Sequence, residues 1–213
     1  IIDVAFAEAS LPPHIDAVWR PRFREVASAF LDWEAKRQGD IARSETEVRA
    51  NMAIEPLGIA LTGSADRIDF LKDGTAAIID YKTGSSPSTK QARTLLEPQL
   101  PLEAAALEGG GFRGLAPQKA GELLYVRLRP GNRFRHETVN NEGAKDGKSA
   151  ASLGQEALEQ FSRFVAVLQN GERGFTSRLV PFKQFDYGGE YDHLARVAEW
   201  STAESEEDGD NAE

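Results

Sequence analysis

The chain contains no cysteine. That absence excludes disulfides, thiolate nucleophiles, cysteine-ligated zinc and iron–sulfur clusters within it, and it fits a cytoplasmic protein. No apolar run approaches the roughly 20 residues that span a bilayer, and no signal peptide is visible. A basic surplus is missing too: 25 Lys and Arg stand against 34 Asp and Glu, a formal charge of −9. A protein that holds nucleic acid through bulk charge carries the opposite sign. Neither "GTAAIID" nor "GGGF" has phosphate-loop spacing, so no ATP site is expected.

The acids are unevenly placed. The last eleven residues, "AESEEDGDNAE", hold six acids and no base, which leaves 25 basic residues against 28 acidic ones in the rest. Residues 202–213 are therefore expected to be a disordered acidic tail behind one domain spanning 1–201. The near-neutral body implies that any contact with DNA rests on a local patch, a metal or a partner chain. Otherwise the composition, 40 % hydrophobic and 28 % charged, is that of an ordinary globular domain.

Hydrophobic periodicity predicts a helix over 15–37, with Trp19, Phe23, Val26, Phe30 and Trp33 on one stripe as core. Strict alternation predicts a half-buried strand over 45–54, with Val48, Ala50, Met52 and Ile54 on one side. Further strands are expected at 59–71, 75–82 and 121–128. "SSPSTKQ" reads as a polar loop with helix-capping residues, leading to a helical segment broken near Pro98 and Pro101. Residues 129–149 read as a long loop or irregular hairpin. A last strong helix is expected near 153–171, with Leu158, Phe161, Val165 and Leu168 inward and Gly171 as its C-cap. "YDHLARVAEW" reads as a short terminal helix or turn, with Trp200 packed as its anchor. The order helix, antiparallel strands, helix, strand, helix gives an α+β sandwich around a small mixed sheet.

The stretch "IIDYKTG" places Asp80 and Lys82 two residues apart on a strand, hence on one face. Asp66 lies on the preceding strand. Directly opposed residues of an antiparallel hairpin share a face. An odd-numbered loop centred on Asp73 sets Asp66 against Asp80, whereas a two-residue Asp73-Gly74 loop puts them on opposite faces unless a bulge intervenes. If Asp66, Asp80 and Lys82 converge, two carboxylates without a shared proton repel. A divalent cation relieves that, and oxygen ligands favour Mg²⁺ or Mn²⁺. The backbone carbonyl of Tyr81 is a further candidate oxygen. Lys82 is then placed to orient or deprotonate a water and to neutralise charge on a phosphate.

"GSADRIDF", "AAIIDYKTG" and "QLPLEAAAL", in that order, resemble the PD-(D/E)xK nuclease superfamily in its RecB-like branch. With the flanks "VWRPRFREVASAFLDWE" and "YDHLARVAEW", the chain is most similar to the C-terminal nuclease domain of the AddB family. The resemblance implies a restriction-endonuclease-like core and a metal-dependent DNA exonuclease domain. It implies work at double-strand breaks for recombinational repair, beside an AddA-like helicase–nuclease subunit. It also implies that Asp66 and Asp80 are metal ligands, Lys82 the catalytic lysine and Gln99 an assisting glutamine. Position 103 is Glu where the family's motif has a DNA-holding Tyr. Asp69 reads as a salt-bridge partner of Arg67 rather than a ligand.

Two departures accompany the match. The histidine that RecB-like nucleases carry on an early helix has no counterpart. His14, in a stretch that reads as a loop, is a poor substitute, so that ligand is expected upstream of Ile1 and the chain to be a truncated nuclease domain. The four cysteines of some relatives' iron–sulfur cluster are absent. His193 reads as structural. Arg129, Arg133 and Arg135, with His136, form the most basic stretch and are the candidates for phosphate contact. The competing expectation is a non-catalytic module of the same fold that holds DNA or docks the helicase.

Overall fold

The computed structural model describes residues 2–131 and 133–171. The chain divides into two compact units, Ile1–Arg163 and Phe164–Glu213. The sheet and the candidate site belong to the first; of the second, the described residues are the last turns of one helix and its exit. The expected tail at 202–213, His193 and Trp200 lie outside the described residues.

The first unit is α+β. Helices α1 (Ile2–Glu8) and α2 (Pro13–Arg37) precede strands β1 (Ile41–Ile54), β2 (Ile59–Leu71) and β3 (Ala76–Lys82). Helices α3 (Thr89–Arg93) and α4 (Gln99–Glu108) then carry the chain to β4 (Ala120–Arg127), β5 (Arg135–Thr138) and α5 (Ala150–Gln169). The five strands form one mixed sheet in sequential order. β3 and β4 are parallel and all other neighbours antiparallel. The parallel pair requires a crossover, which α3 and α4 supply. No helix among the described residues is long and apolar enough to cross a membrane.

The β2–β3 turn is the odd case. Leu71 and Thr75 close the loop with a backbone hydrogen bond of 2.8 Å, which leaves three residues centred on Asp73. Asp73 Oδ1 accepts from both the N–H and the hydroxyl of Thr75, and Gly74 takes the left-handed φ of +85° that the turn requires. The register that follows pairs Arg67 with Ile79 and Ile68 with Ile78. Its continuation sets Asp66 beside Asp80.

Each face of the sheet has its own core. Ala65, Ile68, Ile78, Leu123 and Tyr125 pack with Leu100, Ala104 and Leu107 of α4 and Leu153 of α5. Ile79, Leu124 and Val126 pack on the other face with Trp33 of α2. β3 is thus buried on both sides, as a central strand must be. Gly154 permits the α4–α5 contact: a Cβ there would lie 3.0 Å from the Ala105 nitrogen and 3.2 Å from the Ala104 Cβ.

Some expectations are corrected and others are met. The α2 stripe is core only toward its C-terminal end: Trp33 is buried, but Trp19 and Phe23 are 56 % and 49 % exposed. The sheet reaches only the second half of this 25-residue helix, while α1 meets its beginning with a Phe6–Phe23 edge contact. His14 sits in the exposed first turn of α2 rather than in a loop. Pro101 does not break α4, since a first-turn residue has no intrahelical N–H bond to lose. α5 buries Ala150, Leu153, Gly154 and Ala157, while Leu158, Phe161, Val165 and Leu168 are only half-buried. The irregular hairpin expected after β4 contains β5. The capping signal ahead of α3 is a full capping box between Ser88 and Gln91.

Candidate active site

The alternation of β3 sends Ile78, Asp80 and Lys82 to the α4 face, and α4 lowers Gln99 and Glu103 onto them. Asp80 is 2 % exposed. Its Oδ1 accepts from Lys82 Nζ at 2.9 Å and from Gln99 Nε2 at 2.8 Å. Lys82 Nζ also lies 2.9 Å from Oδ2, yet that oxygen has no hydrogen bond of good geometry, so its link to the ammonium is a charge contact alone. Lys82 bonds Gln99 Oε1 at 3.2 Å as well. Asp66 accepts the Tyr81 N–H on Oδ2 at 2.8 Å. Asp66, Asp80, Lys82 and Gln99 therefore share one corner of the fold.

Glu103 is the residue that sequence reading missed. It lies one turn after Gln99, and its Oε1 accepts from the same Gln99 nitrogen at 3.1 Å. It is 9 % exposed, and Oε2 has no partner. Burial, opposed only in part by the Gln99 bond and reinforced by the charges of Asp80 and Asp66, pushes its carboxyl up to about 8. Burial raises Asp80 too, against the pull of Lys82. The i, i+4 spacing of Gln99 and Glu103 was a signal that could have found it. Tyr125, paired with Asp80 in the β3–β4 register, is fully buried with an unpartnered hydroxyl. Burial, then the charges of Asp80, Glu97 and Glu103, raise that phenol.

The other half of "DRID" faces the opposite way. Asp69 accepts from Arg67 Nε at 2.6 Å and from the Ser44 hydroxyl at 2.6 Å, with Arg37 at 3.7 Å. Arg67 spans to Glu34 through two 2.8 Å bonds and touches the Tyr81 hydroxyl at 3.3 Å. Burial alone would lower the Arg67 pKa; the bonds to Glu34, Asp69 and Tyr81 outweigh it and raise it. Asp69 thus belongs to a buried ion network that pins α2 to the sheet.

The basic residues divide. In register, Lys82 pairs with Arg127 and Arg127 with Arg135, so these three cations form a row across β3, β4 and β5. Arg127, absent from the sequence-based candidates, bonds Glu137 at 2.8 Å. Arg129 donates to the Gly84 carbonyl, and Arg133 to the Pro130 carbonyl at 2.9 Å. His136 stacks beside Trp33 with ring centroids 6.0 Å apart.

Among the described residues, no three His, Asp or Glu side chains stand ready to hold an ion as they lie. Their chemistry nonetheless fits a hard divalent cation. The charges of Asp80 and Asp66 both reach Glu103, whose Oε2 is buried without a hydrogen bond, while Asp80 Oδ2 has only its charge contact with Lys82.

A mixed sheet with an acid-x-lysine strand at its centre, facing an aspartate on the neighbouring hairpin strand, is the framework of one large class of phosphodiesterases. The chain belongs to the PD-(D/E)XK nuclease superfamily, whose family model matches residues 1–186. Members of that superfamily are generally nucleases and typically use divalent metals such as Mg²⁺. Uncharacterized proteins of Rickettsia bellii and Rickettsia conorii are each 30 % identical over 104 residues, and one of Rickettsia typhi is 29 % identical. Each alignment covers 48 % of this chain and 12 % of the relative, so the chain spans about an eighth of the length of the curated relatives it matches. The solved structure of SSO0001 aligns over 74 % of this chain and 70 % of its own at 18 % identity, with a TM-score of 0.35, too loose a likeness to build on.

Proposed function

We propose that this chain is a metal-dependent DNA exonuclease domain, trimming strands at double-strand breaks for recombinational repair beside an AddA-like helicase–nuclease subunit. The observation that carries the nuclease reading is the junction of Asp66, Asp80, Lys82 and Gln99 on one sheet face. The repair setting and the helicase partner rest on the AddB-like flanks of the sequence. Asp66 and Asp80, with the Tyr81 carbonyl, would hold Mg²⁺ or Mn²⁺, which supplies a Lewis acid and lowers the pKa of a bound water.

The remaining work falls to the chain's own side chains. Lys82 carries its charge at the partly exposed end of a buried strand, where it reaches both Asp80 and solvent. From there it orients an attacking water and offsets charge gathering on the phosphate. Gln99 holds the ammonium through Oε1 and Asp80 through Nε2, fixing both against the α4 end. Arg129, Arg133 and Arg135, together with Arg127, supply cations along the strand ends for the DNA backbone. Contacts of that kind position a duplex or single strand without reading its bases.

The test is cleavage of end-labelled DNA by the chain in Mg²⁺. Wild type should degrade it, and EDTA, Asp80→Asn and Lys82→Ala should each abolish the activity while the variants stay folded. Lys82→Ala cleaving at the wild-type rate removes the catalytic assignment. A second reading, a non-catalytic module that holds DNA or docks a helicase, draws on the bonds that already tie Asp66, Asp80 and Glu103 to protein donors. DNA binding with neither cleavage nor Mg²⁺ uptake would favour it.

A further inference from the structure

We propose that Glu103 is itself a ligand of the metal, reaching it from α4. The inference rests on the metal-site reading of Asp66 and Asp80 and adds to it a residue on a different element.

Three observations carry it. The first is position. Gln99 and Glu103 stand one turn apart on the buried face of α4, and a single Gln99 nitrogen bonds both Asp80 Oδ1 and Glu103 Oε1. The two carboxyls are therefore within one amide's reach of each other. The second is the pattern of satisfied and unsatisfied atoms. Asp80 and Glu103 each give one oxygen to Gln99 and leave the other, Oδ2 and Oε2, buried without a hydrogen bond. Asp80 Oδ2 still has the Lys82 ammonium 2.9 Å away, whereas Glu103 Oε2 has neither a hydrogen bond nor an ion pair. A buried acceptor left unpaired is costly, and one beside a second carboxyl points to a missing cation. The third is residue type. A helix position facing a buried sheet surface, flanked by Leu100, Ala104 and Leu107, is suited to an apolar side chain. A 9 % exposed carboxyl there is expensive unless a cation stabilises it.

The donor set is then all oxygen, Asp66 from β2, Asp80 from β3 and Glu103 from α4, with side chains that must close up around the ion, since no three of them form such a group as they lie. Such a set selects a hard ion of the Mg²⁺ and Mn²⁺ type over zinc. Gln99 becomes the group that holds two ligands at their spacing, the task usually given to the partners of metal-bound side chains.

The experiment titrates Mn²⁺ into the 213-residue chain, with the free-ion EPR signal giving affinity and stoichiometry. Wild type, Asp80→Asn, Glu103→Gln and Glu103→Asp are compared, and circular dichroism in EDTA shows that each is folded. The expected result is loss of binding in Asp80→Asn and at least tenfold weaker binding in Glu103→Gln, with Glu103→Asp also weakened. Should Glu103→Gln not fold, the Asp variant, whose carboxyl is drawn back by one methylene, answers alone. If Asp80→Asn abolishes binding while the Glu103 variants match wild type, Glu103 is not a ligand and the Asp66–Asp80 reading stands. If wild type takes up no Mn²⁺ at millimolar concentration, both fall.

Discussion

Gln99 Nε2 lies 2.8 Å from Asp80 Oδ1, so one side-chain amide fastens the first turn of α4 to the central strand. The same nitrogen serves Glu103, and the amide oxygen serves Lys82. Gln99→Ala removes a donor from two buried carboxyls at once. It should cost about 1–3 kcal/mol in urea denaturation and lower the cleavage rate roughly 10- to 100-fold through lost positioning. A variant with wild-type rate and midpoint would show that the amide is incidental.

Glu103 predicts a pH effect on stability in EDTA. In the fold its carboxyl keeps a proton up to about pH 8, whereas the ordinary value is 4.5. Between those values the folded state binds more protons than the unfolded chain, so stability falls as pH rises through the window. The contribution is full below 4.5 and is lost on passing 8. Thermal melts from pH 5 to 9 should show the decline, on the order of 4 kcal/mol at most by linkage. Glu103→Gln should flatten it.

Arg67 is expected to matter for folding rather than for chemistry. It answers Glu34 and Asp69 at once, and Asp69 is fully buried. Arg67→Ala leaves both carboxylates without their main partner and should destabilise by about 3–5 kcal/mol. Chemical denaturation measures it, and a change under 1 kcal/mol, roughly the size of a surface ion pair, would show that the network is dispensable.

On α5, Leu153→Ala should cost about 2–5 kcal/mol, because the side chain is fully buried between α4 and the sheet. Phe161→Ala should cost less, about 1–2 kcal/mol, its ring being only half-buried. Comparing the two midpoints tests the assignment of the α5 core face; the reverse ranking would contradict it.

The hairpin was legible because its signals are local. "KDG" spells a turn, strand alternation fixes the face of Asp80 and Lys82, and the sum rule for opposed residues places Asp66 once the loop is known to hold three residues. The separation of Asp69 from the site was legible for the same reason, since it lies an odd number of residues from Asp66. What escaped depends on contacts between distant segments. The period of α2 gives one apolar stripe but not how far the sheet beneath it extends, so Trp19 and Phe23 read as core. The period of α5 likewise does not say which turns meet α4, and there a glycine rather than a large side chain marks the contact. Glu103 escaped because the family's motif has Tyr at that position, although its spacing from Gln99 already put it on the site-facing side of α4.

The central claim is that Asp66 and Asp80 share one divalent ion. A crystal of the chain soaked in Mn²⁺ tests it most directly, through the anomalous difference map. The account predicts a single strong peak about 2–2.3 Å from carboxylate oxygens of both Asp66 and Asp80. A fully soaked crystal with no peak between them, or with Mn²⁺ bound only elsewhere, would contradict it.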